Sequence, residues 1–172
     1  MTEPHRTVFR TADGLDLVAD RYGAPIRGGV LLAHGGGQTR HAWAKTAAAL
    51  ADRGWEAVAL DLRGHGDSGW SPTGDYQMER FAGDLATVAN EMGGRPALIG
   101  ASLGGLAGLL AEAEIAPRSF SSITLVDIVP IRPQPPPIMD ESGVVIDENS
   151  DGYYPQTTIR QRPVGLRLEQ TL

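Results

Sequence analysis

Apolar residues follow two rhythms over the first 130 positions. Runs with little polar alternation occur at Val30-Leu31-Leu32-Ala33, Trp55-Glu56-Ala57-Val58-Ala59-Leu60, Ala97-Leu98-Ile99 and Ile123-Thr124-Leu125-Val126. A run without polar alternation is the pattern of a strand covered on both faces. Between the runs, apolar residues recur every three or four positions. Thr39 to Asp52 puts Trp43, Ala47 and Leu50 on one helical face and ends at Gly54. Tyr76 to Met92 does the same with Phe81, Leu85, Val88 and Met92, and stops at Gly93-Gly94. Leu103 to Ala113 predicts a third helix, and Ser122 to Val129 a closing strand. Upstream, Thr7–Arg10 and Asp16–Tyr22 flank the turn Ala12-Asp13-Gly14 and predict a hairpin. Strands alternating with helices predict an α/β fold: a mostly parallel sheet with helices on both faces. Ligands of such sheets sit beyond the carboxyl ends of the strands.

The rhythm stops near Pro130. All 21 alanines precede residue 131, while seven of the 12 prolines lie from Pro130 to Pro163. This predicts a folded segment, 1–130, and a Pro-rich, poorly ordered tail, 131–172, with Val144-Val145-Ile146 as one short strand. The whole chain has 172 residues, of which 41% are hydrophobic and 21% charged, the balance of one globular domain. A net charge of −6 argues against nucleic acid and anionic membranes as partners. Absence of cysteine excludes disulfides and thiol catalysis. No apolar run approaches the roughly 20 residues of a membrane span, and Met1–Arg10 lacks a signal peptide's apolar core. A cytoplasmic location is the expectation.

Three glycine-rich motifs follow strands. In Gly100-Ala101-Ser102-Leu103-Gly104, an apolar strand precedes and an apolar helix follows. A sharp strand-to-helix turn needs small neighbours, and it lifts the serine hydroxyl into the open beside free helix-terminal amides. The other reading is a serine helix cap with glycines for tight packing. His34-Gly35-Gly36-Gly37 leaves backbone amides uncovered for a developing oxyanion, or forms a flexible turn with a structural histidine. Asp61-Leu62-Arg63-Gly64-His65-Gly66-Asp67-Ser68-Gly69 contains a G-x-G-x-x-G spacing. Nucleotide binding would require a helix directly after it, but Trp70-Ser71-Pro72-Thr73-Gly74 predicts a loop. Asp61, Arg63 and His65 are expected to form a supporting polar network.

In this order the motifs resemble those of the α/β-hydrolase superfamily, particularly its esterase, lipase and perhydrolase-like members. The resemblance covers residues 7 to about 129 and implies an incomplete version of that fold. It implies Ser102 as nucleophile and the Leu103 amide, with that of Gly36 or Gly35, as the oxyanion hole. It gives His34 the task of shaping the oxyanion loop. Asp127, at a strand end, is similar in position to the acid of some members, and is otherwise a loop-facing aspartate. Epoxide hydrolases and dehalogenases of this superfamily carry aspartate at the nucleophile position, so Ser102 argues against their chemistry. The implied reaction is hydrolysis of a small ester or related acyl compound, with no cofactor and no metal.

The superfamily's base is a histidine that follows the nucleophile and acid. The histidines here are His5, His34, His41 and His65, all before Ser102. One expectation is therefore a hydrolase by ancestry. The alternative is a catalytically inactive remnant, truncated, fused or shifted out of frame near Pro130, or a binding protein. Loss of the later strands would expose the edge at Ser122–Val129 and favour self-association.

Overall fold

The computed structural model describes residues 3–128 and the backbone of two short strands at 159–161 and 166–168. The chain divides into two compact units, Met1–Ile128 and Val129–Leu172. The first contains a six-stranded sheet: β1 (His5–Arg10), β2 (Asp16–Tyr22), β3 (Gly29–Ala33), β4 (Glu56–Leu60), β5 (Ala97–Ala101) and β6 (Ser122–Val126). Their order across the sheet is β1-β2-β4-β3-β5-β6. The hairpin β1–β2 is antiparallel, as is β2 against β4; the other pairs are parallel.

The unbroken apolar runs are explained by burial on two faces. Val30, Leu32, Ala57 and Ala59 meet Ala47 of helix α1 (Ala44–Ala51). Leu31, Ala33, Val58, Leu60 and Leu98 face the other way. They join Phe81, Leu85 and Val88 of α2 (Met78–Glu91) and Ala107 of α3 (Leu103–Leu110). Alternation along each strand thus serves two apolar layers.

Element ends differ from the sequence reading for local reasons. The first helix begins as a separate 3-10 turn, Arg40–Trp43, because the Arg40 amide turns aside to Asp61. The second starts at Met78, after the loop. The third passes at Leu110 into a wider π turn, Ala111–Ile115, closed by the Ala116 N–H donating to the Ala111 carbonyl. There the Glu112 carboxylate accepts from the Arg118 and Phe120 amides. The last strand stops at Val126, since Asp127 takes a left-handed φ of 55°.

In the second unit, β7 (Ile159–Gln161) and β8 (Leu166–Leu168) pair antiparallel, a ribbon the sequence reading did not anticipate. The strand expected at Val144–Ile146 lies outside the described residues. Among the described residues, no helix is long and apolar enough to cross a membrane.

Candidate active site

β5 ends in a bend at Ser102. Its backbone sits at φ 42° and ψ −112°, a region sparsely populated by residues with a side chain. The Ser102 amide donates to the Val126 carbonyl of β6 (3.2 Å), and its carbonyl accepts from the Leu106 amide (3.0 Å) to start α3. The serine therefore belongs to sheet and helix at once. Close packing fixes the bend. A Cβ on Gly104 would stand 2.7 Å from the backbone of Ala33, and one on Gly100 2.6 Å from Gly105 Cα. Only glycine lets α3 approach β3 and β5 so closely, and Ser102 is left exposed above them.

The triple-glycine segment lies beside that serine. A Cβ on Gly35 would be 3.4 Å from Ser102 Cβ, and the Gly104 amide donates to the His34 carbonyl (3.2 Å). The Gly35 amide is engaged by Gln38 Oε1 (3.0 Å), whereas among the described residues the Gly36 amide has no acceptor. Leu103 opens α3, so its amide has no intrahelical partner. Of the two glycines the sequence left open, Gly36 is the one with its N–H free.

His34 is fully buried. Its Nδ1 is 2.8 Å from the Gly35 carbonyl, to which it must donate, so Nε2 is left to accept from the Leu62 amide (3.1 Å). Burial lowers its pKa and keeps the ring neutral. His65 shows the same tautomer: Nδ1–H donates to the Arg63 carbonyl (2.9 Å) and Nε2 accepts from the Gly37 amide (3.2 Å). The two rings tilt together with centroids 5.0 Å apart.

The loop after β4 forms no nucleotide site. It closes on itself through the Gly64 amide to the Gly69 carbonyl, and no helix begins before Met78. Its polar residues gather around two centres, Asp61 and Arg63, and His65 is bound to the carbonyl of the second. Asp61, fully buried, accepts from the Arg40 amide (2.6 Å), the Arg40 guanidinium and the Asp67 amide (2.9 Å). Burial acts to raise its pKa, but these donors outweigh it and hold the carboxylate ionised. Arg63 points to α2 instead, making two 2.7 Å bonds to Asp84 and longer ones to Asp13. Arg40, Asp84 and Asp13 were not legible as partners: a buried charge leaves no periodic mark in a sequence.

Asp127 is exposed and directly follows Val126, whose carbonyl accepts from Ser102. Among the described residues its carboxylate has no partner. His5 lies on β1, at the far edge of the sheet from β5 and β6, and His41 is an exposed neighbour of Asp20 at 3.9 Å. No group of three His, Cys, Asp or Glu side chains among the described residues is arranged to hold a metal ion.

A family model described as the alpha/beta hydrolase fold matches residues 29–165, most of the chain. The chain belongs to the alpha/beta hydrolase family. The match runs past Pro130 into the Pro-rich segment. The chain is 38% identical over 102 residues to Esterase Rv0045c of Mycobacterium tuberculosis, covering 59% of this chain and 33% of the relative. To protein phosphatase methylesterase 1 of Mus musculus it is 39% identical over 106 residues, 58% of this chain and 27% of that one. An alpha/beta hydrolase structure from Novosphingobium aromaticivorans matches with TM-score 0.67 and 30% identity, over 76% of this chain and 46% of that chain. Epoxide hydrolase VrEH1 from Vigna radiata matches with TM-score 0.69 and 25% identity, over 78% and 41%. The chain thus spans about a third or less of the length of those curated relatives.

Proposed function

We propose that this hydrolase acts on esters of small molecules through Ser102. The observation that carries this reading is the bend itself: an exposed serine at φ 42° with Gly35 packed against its Cβ. The relatives named esterase and methylesterase favour an ester over an epoxide, and so does a hydroxyl where epoxide hydrolases carry a carboxylate.

The Ser102 Oγ would attack the acyl carbon, and the carbonyl oxygen would gather charge. Gly36 and Leu103 supply the N–H groups for that charge. Orientation of the first follows from peptide planarity. In a trans unit the C=O and N–H point in opposite directions. The Gly35 carbonyl is drawn inward by His34 Nδ1–H and by the Gln38 amide, at 2.8 and 3.1 Å. The Gly36 N–H of the same unit is thereby turned away from them, and among the described residues it meets no acceptor. Asp127 takes the carboxylate's place.

The step still requires a base, since a neutral hydroxyl is a weak nucleophile. His34 does not serve, because both its nitrogens are committed. No histidine follows Ser102 in the 172 residues. We therefore read the chain by itself as a poor catalyst, limited to the roughly 10³–10⁴-fold that an oxyanion hole and binding supply without a triad. A fluorophosphonate probe tests the nucleophile: wild type should be labelled and Ser102→Ala should not. Equal labelling of the two would reject the reading. Hydrolysis of p-nitrophenyl esters above the Ser102→Ala background, at rates typical of intact triads, would reject the missing base.

A further inference from the structure

We infer that His65 is a positioning residue for the oxyanion loop, holding the Gly37 amide so that the Gly36 N–H keeps its direction. The inference rests on the reading of Ser102 as nucleophile. Two peptide units flank Gly36. The one before it is fixed from the buried side by His34 and Gln38. The one after it carries the Gly37 N–H, whose acceptor is His65 Nε2 at 3.2 Å. Packing does not hold this stretch, for positions where Gly36 and Gly37 would carry a Cβ meet nothing within 4 Å. Gly37 adopts φ +74°, and two adjacent glycines rotate freely unless both flanking units are pinned. His65 pins the second.

The histidine is itself anchored. Its Nδ1–H donates to the Arg63 carbonyl, and Arg63 is locked by Asp84 of α2 and by Asp13 of the hairpin turn. A chain of contacts thus runs from α2 through Arg63 and His65 to the glycine turn. Donation from Nδ1 leaves Nε2 with its lone pair, the acceptor that Gly37 needs. The neighbouring ring is that of His34, at the end of β3. Within its own loop, Asp61 and Asp67 are both engaged by Arg40.

Two variants separate acceptor from bulk. Gln in His65→Gln carries an oxygen acceptor and does not titrate, and Phe in His65→Phe keeps a ring and accepts nothing. Two readouts apply: the second-order rate of Ser102 phosphonylation, and the Gly37 amide resonance in 15N spectra. The Gly37 resonance should shift in His65→Phe, where the amide loses its acceptor, and return close to its wild-type position in His65→Gln. Phosphonylation should fall about tenfold in His65→Phe, as expected for a misplaced oxyanion donor, while His65→Gln restores most of the rate. A Gly37 resonance unchanged in His65→Phe, or undiminished labelling of a folded His65→Phe, would overturn the inference. If wild type is not labelled at all, the Ser102 reading fails, and the Gly37 resonance still decides the clamp. Should His65→Phe not fold, His65→Ala takes its place with the same outcomes.

Discussion

Arg63→Met should be the most damaging single substitution outside the site. Arg63 and Asp84 are both nearly inaccessible, with side-chain exposures of 2% and 3%. Their bidentate contact, at 2.7 Å for each bond, joins the loop after β4 to α2. Methionine fills much of the arginine's volume but leaves the Asp84 carboxylate buried without its cation. Removing one partner of such a pair costs about 3–5 kcal/mol, or roughly 10 °C in melting temperature for a chain of this size. The double variant Arg63→Met/Asp84→Leu removes both charges and should regain most of the loss. Burial raises the Asp84 pKa, and Arg63 is what opposes the rise. Without Arg63 the native state binds that proton more tightly than the unfolded chain does. The penalty in Arg63→Met should therefore be smaller at pH 5 than at pH 8. Urea melts at the two pH values measure all of this. A loss under about 1 kcal/mol, or a double variant no better than the single, would refute the reasoning.

Other expectations follow from particular contacts. Gly104→Ala drives a methyl into the Ala33 backbone at 2.7 Å, and should cost about 3 kcal/mol in urea melts and slow Ser102 labelling as α3 is pushed out. His34 has a pKa below its ordinary 6.5, so its contribution to stability is full above 6.5 and is lost as pH falls from there through the lowered folded-state pKa; His34→Gln should flatten this part of the stability–pH curve. Asp127→Asn should reduce any Ser102-dependent ester turnover if the carboxylate orients a base, and should leave thermal stability within about 0.5 kcal/mol, since it is exposed and has no partner among the described residues. At the sheet edge, β6 has β5 as its one neighbour among the described residues and carries no charge from Ser122 to Val126. Self-association through it should appear on gel filtration and diminish in Val126→Lys.

The layered α/β architecture was legible because two-sided burial writes itself as unbroken runs such as Val30–Ala33 and Ala57–Leu60. The bend at Ser102 was legible because its glycines mark the close approach of backbone at Gly100 and Gly104. Side-chain partnerships were not. Nothing in the order of residues pairs Arg63 with Asp84 twenty-one positions away, or Arg40 with Asp61, since ion pairs are made by folding and have no period. Telling the engaged Gly35 N–H from the free Gly36 N–H likewise needed the position of the Gln38 side chain. The π turn at Ala111–Ile115 was missed because its residues read as ordinary helix formers.

The backbone angles at position 102 also bear on the history of this sequence. A side chain held at φ 42° and ψ −112° costs on the order of 1–3 kcal/mol, which glycine would largely avoid. Under selection for folding alone, random substitution would favour glycine there, and Ser102→Gly should melt higher than wild type. A lineage that keeps the hydroxyl at that position accepts a lower melting temperature, and the size of the difference would measure how strongly the oxygen has been retained.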